Sequence, residues 1–365
     1  MEKVRLGDIC SKQSSRLAQK DLENMDGSYP IFGASGLIKK INTYDQKSEY
    51  VAVVKDGAGV GRTMLLPAYS SVIGTLQYLI PNDNVNAKYL YYAVKSRHLE
   101  KYYTGSAIPH IYFKDYKSEP IILADGIAQR KIALVLERVE KIIEEHKQQL
   151  EMLDTLIKAR FVEMFGVPLS NEKGWPLKRI GDLFGLISRG NQPSYVAHSS
   201  VRVINQACVY WERFNLENVK YHDSQSVKKT LPIKKNYILI NSTGTGTLGR
   251  CNVFPELTDN NTYVADSHVT VLAENHDINS YFFKCFLQRE DVQKKIYAEC
   301  VNGSTNQIEL SKEKLSNVLI IVPPIELQEQ FAAFVRQVDK SKSAIQKSLE
   351  KTQTLFDSLM QEYFG

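Results

Sequence analysis

Cysteine pairs, long apolar runs and the familiar catalytic signatures are all missing from this sequence. Its five cysteines (Cys10, Cys208, Cys251, Cys285 and Cys300) are scattered, with no C-x-x-C. That excludes a disulfide framework and a cysteine zinc site, and it suits reduced thiols in a cytoplasmic protein. No apolar run approaches the roughly 20 residues needed to span a bilayer. The opening stretch MEKVRLGDICSKQSS has no apolar segment of the signal-peptide kind. There is no G-x-x-x-x-G-K-[ST] to hold ATP and no convincing P-D…[DE]-x-K nuclease constellation. The [ND]-P-P-[YFW] loop that amino-methyltransferases place around a flipped base is absent too: Pro323-Pro324 stands between Val322 and Ile325. No cofactor and no metal is expected.

What is present is ordinary for a globular chain of 365 residues, long enough for two or three domains. The net charge of +5 is compatible with a polyanionic partner without demonstrating one. The informative feature is that the chain is written twice. RLGDIC at Arg5–Cys10 is echoed by RIGDLF at Arg179–Phe184, and Gly61-Arg62 by Gly249-Arg250. LIPNDNVNAKYLYY answers to VLAENHDINSYFFK, TGSAIPHIYF to NGSTNQIEL, PIILADGIAQRKIA to LIIVPPIELQEQFA, and FVEMFG to LMQEYFG. The offset drifts through small insertions while the order of landmarks holds, as a tandem duplication of about half the chain requires.

Each copy has one plan. Short β-branched runs such as EYVAVV, NYILIN and HVTVL, bounded by turn residues, read as strands of a mixed α/β globule. One short helix is expected at AKYLYYAVKSRHLEKYY and another at NSYFFKCFLQREDVQKKIY. Each copy then ends in a long helix. Ile127–Phe165 contains no proline or glycine, and two heptad series interleave along it. The series are Ile132, Val139, His146, Leu153, Arg160 and Leu136, Ile143, Leu150, Ile157, Met164. The second copy offers Phe331, Val338, Ile345, Thr352, Leu359 with Val335, Lys342, Leu349, Phe356, Tyr363, and Pro323-Pro324 suits its start. A helix of this length measures roughly 60 Å. Such a seam needs a partner, which is either the other copy's helix or another chain; two unrelated surface helices are the plainer alternative. His146 reads as a polar position that helps set register.

The order globule, long helix, globule, long helix, with GD opening each half and PPIELQEQFA opening the last helix, resembles the specificity subunit of type I restriction–modification enzymes. The resemblance covers essentially the whole chain. It is carried by the duplication, by YPIFGASGLI (Tyr29–Ile38), by the repeated Gly-x-Gly…Gly-Arg turn and by NGSTNQIELSKEKLSNVLIIVPPIELQEQ. The first copy departs from the pattern in reading ILADGIAQRKIA, without prolines, which blurs where its helix begins. The resemblance implies an α/β (α+β) chain with a pseudo-twofold internal repeat. Two mixed α/β target-recognition domains, 1–125 and 169–322, would be separated by two long antiparallel coiled-coil helices, 126–168 and 323–365. It implies that each domain binds half of a split double-stranded DNA site and that the helices act as a spacer. It also implies docking of two methyltransferase subunits and, in the full complex, two translocating nuclease subunits. Members of this kind carry no chemistry of their own, which agrees with the missing signatures. An autonomous bipartite DNA-binding protein is the alternative, and a small-molecule enzyme using the Gly-rich loops is a third.

The stretch VKDGAGVGRTMLL resembles a phosphate-binding loop only superficially. It lacks the Lys-Ser/Thr of a P-loop, and the TMLLP that follows is too short to offer a helix N-terminus. A tight strand–turn–strand with glycines at positive φ is the expectation. Arg62 and Arg250 are either held near DNA by the turn or bridged to a core carboxylate. For reading bases, Arg or Lys pairs with guanine and Asn or Gln with adenine, while Lys, Ser and backbone amides hold phosphates. In the first copy the residues that fit are Lys39, Lys40, Lys55, Arg62, Ser106, His110, Tyr112 and Lys114. In the second they are Arg189, Asn191, Gln192, Tyr195, Arg202, Arg250, Ser304, Thr305, Asn306 and Gln307. Most of the 20 tyrosines are expected to pack in cores or interfaces.

Overall fold

A strand buried on both faces organises each half of the molecule. In the computed structural model, which describes residues 2–105, 109–303 and 308–365, EYVAVV becomes the strand Tyr50–Val54. Alternate residues of a strand face opposite ways. Val51 and Val53 therefore pack with Leu79, Tyr89 and Leu90, while Tyr50, Ala52 and Val54 pack with Ile31, Ile41 and Val72. NYILIN yields Ile238–Asn241 in the same role, with Ile238 and Ile240 in one cluster and Leu239 in the other.

The chain divides into two compact units, Met1–Gln149 with Ile345–Gly365, and Leu150–Ala344. The first has a four-stranded antiparallel sheet in the order Cys10–Ser14, Leu76–Pro81, Tyr50–Val54, Thr63–Leu66. A second sheet pairs Gly36–Ile41 with Tyr29–Gly33, and Tyr29–Gly33 in parallel with Ser71–Val72. The second unit repeats this. One sheet runs Phe184–Arg189, Val269–Asn275, Ile238–Asn241, Cys251–Val253, and another runs Tyr195–Val196, Lys220–His222, Val201–Ile204, Thr262–Ala265, its last pair parallel.

The expected single short helix is broken in both units. Asn86 and Asn279 cap Ala87–Lys95 and Ser280–Leu287 by accepting from backbone N–H groups. The chain then turns at His98 (φ 51°) into a 3-10 turn, Leu99–Tyr102, and at Arg289, which is extended, into Glu290–Cys300. The break turns Leu99, and in the second unit Val292 and Ile296, into the core.

The long helices run Gly126–Phe165 and Ile325–Phe364. In the second unit Lys342 pairs with Asp154 at 2.5 Å, while Phe331 packs edge-on to Phe161 and Phe165 at 5.4 and 5.5 Å. Residue numbers fall on one helix as they rise on the other, so the segments are antiparallel. In the first unit Lys95 touches both Glu140 and Phe356, while Phe364 lies 5.2 Å from Tyr89, whose hydroxyl donates to Ile122 just before the helix. That order is antiparallel too. Ile132, Leu136, Val139, Ile143 and Phe356 are buried together, as the heptads require. His146 sits part-buried, and among the described residues its Nδ1 has no partner.

The two helix starts share one device. Gln129 accepts from the Asn86 N–H at 2.8 Å and donates to Ala124 at 2.9 Å; Gln328 accepts from Asn279 at 2.9 Å and donates to Pro323 at 2.7 Å. Where the second copy has prolines, the first has Asp125, whose carboxylate accepts from Ile127 and Ala128 at 3.0 and 2.9 Å. Among the described residues no helix is long and apolar enough to cross a membrane.

Candidate nucleic-acid interface

The Gly-rich turns link two antiparallel strands in each unit. Gly57, Gly59 and Gly61 have φ of 83°, 84° and 88°; Gly244, Gly246 and Gly249 have 92°, 83° and 85°. The turn closes through Gly61 N–H to Val54 at 2.8 Å and Val54 N–H to Arg62 at 2.9 Å, repeated by Gly249 to Asn241 at 2.9 Å and Asn241 to Arg250 at 2.8 Å. Glycine is required most strictly at Gly61, where a Cβ would stand 2.3 Å from the Glu100 nitrogen. The amides of Val60, Gly61 and Arg62 close the turn on itself and a strand rather than a helix follows it, unlike a P-loop.

A second segment, far away in sequence, crosses each turn. Ile111 N–H donates to Lys55 at 2.9 Å and Gly57 N–H to Pro109 at 2.9 Å. In the other unit Leu310 N–H donates to Ser242 at 2.8 Å, and Thr243 bridges Glu309. His110 thereby comes to lie beside the turn, with Tyr112 and Lys114 next to it. His110 contacts the Asp56 carboxylate and packs 4.1 Å from the Tyr112 ring, and the Lys114 ammonium lies 5.2 Å from that ring. Tyr112 is exposed. Burial, and then the Lys12 ammonium, hold Lys55 below the usual lysine range.

Neither turn arginine bridges a carboxylate among the described residues, so the core-carboxylate alternative does not hold. Arg62 donates to the Ala34 carbonyl at 2.5 Å, at the tip of the hairpin between Gly33 and Gly36. Arg250 donates to Gly246 at 2.9 Å and lies 5.2 Å from the Tyr210 ring. Arg250 is folded back on its own turn, whereas Arg62 lies over Gly59 and ties its turn to the neighbouring hairpin. Of the two hairpin lysines, Lys39 is held by Asp26 at 2.7 Å and Leu22 at 3.0 Å, whereas Lys40 is exposed.

In the second unit a polar group gathers around the loop Asp266–His268. Tyr195 donates to Asp266 at 2.7 Å, Ser267 donates to Gln192 at 3.1 Å, and the backbone at Asn191 forms a parallel β-bridge with that at Asp266. His268 reaches Thr243 in the Gly-rich turn at 3.0 Å. Burial and the Asp266 carboxylate push the Tyr195 phenol up, so it stays a donor. Arg189 pairs with Glu309 at 2.6 Å and ties its strand to the crossing segment. In the adjoining sheet, Lys220 lies 4.9 Å from the Tyr195 ring and Arg202 4.5 Å from the Tyr221 ring. Sequence reasoning missed Asp266, Ser267, His268, Thr243, Tyr210 and Lys220. The ADSH stretch between two apolar runs was the available signal. Ser106 and Ser304, Thr305, Asn306 and Gln307 lie outside the described residues.

Comparison with known proteins bears on this arrangement. The family model described as the type I restriction modification DNA specificity domain matches residues 1–154 and 172–353. The specificity subunit of the type I restriction enzyme MjaIX from Methanocaldococcus jannaschii is 26% identical over 310 residues, 77% of this chain and 69% of that protein. A putative type I specificity subunit from Mycoplasma pneumoniae is 29% identical over 150 residues, 39% of this chain and 48% of that one. The crystal structure of a type I restriction–modification S subunit from M. genitalium shares the fold, with a TM-score of 0.67 at 17% identity over 100% of this chain and 96% of that one. With two specificity-domain matches covering most of its length, one in each half, the chain belongs to the family of type I restriction–modification DNA specificity subunits.

Proposed function

We propose that each unit turns the face built around its Gly-rich turn to double-stranded DNA and reads one half of a bipartite site. The observation that carries the reading is repetition. In both units a strand–turn–strand, a crossing segment and a neighbouring loop converge, while the side chains they present differ. Such an arrangement suits two readers of different half-sites.

On this proposal residues 1–125 and 169–322 are the recognition domains and 126–168 and 323–365 the spacer helices. Lys40, Lys55, Tyr112 and Lys114 with His110, Arg62 and Lys39 serve the first half-site, together with Ser106. Asn191, Gln192, Tyr195, Arg189, Arg202 and Arg250 serve the second, with Ser304, Thr305, Asn306 and Gln307. Amide side chains suit adenine and cations suit guanine or phosphate. The chain itself is non-catalytic: two methyltransferase subunits dock on it, two nuclease subunits join in the full complex, and the assembly works in the cytoplasm.

The test is the methylated motif of cells expressing the chain with its methyltransferase. Exchanging Asn191 and Gln192 for alanine is expected to relax one half of the motif and leave the other intact. A change in both halves would sink the two-reader proposal. Binding should weaken with salt at a log–log slope of about 0.9 per phosphate neutralised.

A further inference from the structure

Both units have a recess where the short helix meets the long helices, about 1070 Å³ in the first and about 760 Å³ in the second. Aligning the two units on their Asn caps and buried glutamines matches Tyr91, Tyr92, Lys95 and Glu140 with Lys284, Cys285, Gln288 and Asp339. In the first unit these charges are satisfied. Glu140 accepts from Tyr92 at 2.9 Å and from Tyr91 at 3.3 Å, and it pairs with Lys95 at 2.5 Å.

In the second unit the same place is left open. Lys284 is only 8% exposed, lines the recess, and has neither a hydrogen bond nor an ion pair among the described residues. Asp339, shorter than the glutamate it replaces, likewise lacks a partner there. Burial pushes the nearby Cys285 thiol up to about 11, with Lys284 and Lys342 lowering it and Asp339 raising it. Of the other cations lining the recess, Lys342 is held by Asp154 at 2.5 Å, Arg289 by Asp291 at 3.0 and 3.2 Å and Lys294 by Glu290 at 2.6 Å, while Lys158 stands exposed at the rim. Ile157, Phe161 and Val335 give the recess an apolar wall.

A largely buried lysine with no acceptor among its described neighbours favours an anion at its ammonium group. The size of the recess is that of a small-molecule site. We propose that the second unit binds a small monocarboxylate here, its carboxylate on Lys284 and its hydrocarbon body on Ile157, Phe161 and Val335. Asp154, Glu290, Asp291 and Asp339 also line the recess, so a doubly charged phosphate would meet more repulsion than a monoanion.

The site is independent of DNA, so its test is too. Trp211 lines the recess and is one of only two tryptophans, the other being Trp175. Calorimetry and Trp211 fluorescence in a W175F background are run on the full chain without DNA. The probes are butyrate through octanoate and phenylacetate, set against hexanol and inorganic phosphate. Hexanoate is expected to bind at least about tenfold tighter than hexanol, and Lys284→Met to remove that advantage. Asp339→Asn, which leaves Lys284 in place, is expected to tighten carboxylate binding. Silence from every carboxylate, a preference for phosphate, or unchanged binding in K284M would each overturn the proposal. Should K284M not fold, weaker or unchanged carboxylate binding in D339N would overturn it equally.

Discussion

The two Gly-rich turns have nearly the same backbone and very different surroundings. Gly61 is pressed against main chain, the Glu100 nitrogen and α-carbon, whereas Gly249 faces only the Gln293 side chain. Around the first turn stand Lys55, Asp56 and His110; around the second stand Thr243, His268 and the Arg189–Glu309 pair. Hydrogen bonds between backbone groups, and glycines, hold the turn. The side chains it displays are then free to differ between the copies, which suits a scaffold that must present two different surfaces.

The largest test of this contrast is alanine at the closing glycine. At Gly61 it combines a positive φ with a Cβ in fixed backbone, and a loss of about 3 kcal/mol or more is expected in denaturant unfolding. At Gly249 the side chain of Gln293 can move aside, so about 1–2 kcal/mol is expected. Equal losses would mean that the two turns are not buttressed differently.

Next in size is a test of sameness. Gln129→Ala and Gln328→Ala each strand the backbone N–H of a capping asparagine and a helix-start carbonyl. Each is expected to cost about 2 kcal/mol. Unequal losses measured by unfolding would show that the shared device is not energetically shared.

The smallest effect separates the two helix starts. Backbone N–H groups of Ala128 and Ile127 hold the Asp125 carboxyl below its usual range. Its contribution is therefore fully present above the ordinary aspartate pKa and fades as pH falls through the lower folded value. Asp125→Asn should flatten this acid dependence slightly. The second helix, begun by prolines, has no equivalent carboxylate; an acid profile unmoved by D125N would remove the distinction.

These features were unequally legible in the sequence. Strands such as Tyr50–Val54 showed themselves because a run buried on both faces is continuously apolar, and the long helices because heptads persist without glycine or proline. The breaks at His98 and Arg289 were invisible, since neither glycine nor proline marks them and only packing turns Leu99 and Val292 inward. The partners of Arg62 and Arg250 were invisible for a different reason: they are main-chain carbonyls, which every residue carries. The convergence of His110, or of Glu309, on a turn tens of residues away is a long-range contact that no local pattern encodes.

The division of the chain also has a consequence for its synthesis. Leu150–Ala344 is one uninterrupted stretch, whereas the other unit begins the chain and is closed only by Ile345–Gly365. As the polypeptide emerges, the later-made unit has all its parts first. Val139, Ile143 and their neighbours must wait for Phe356 and Phe364, so the first half to be translated is the last to complete its core. Loss of Ile345–Gly365 would leave that apolar seam uncovered while sparing the other unit, so that a lesion late in the sequence is felt in the half that precedes it.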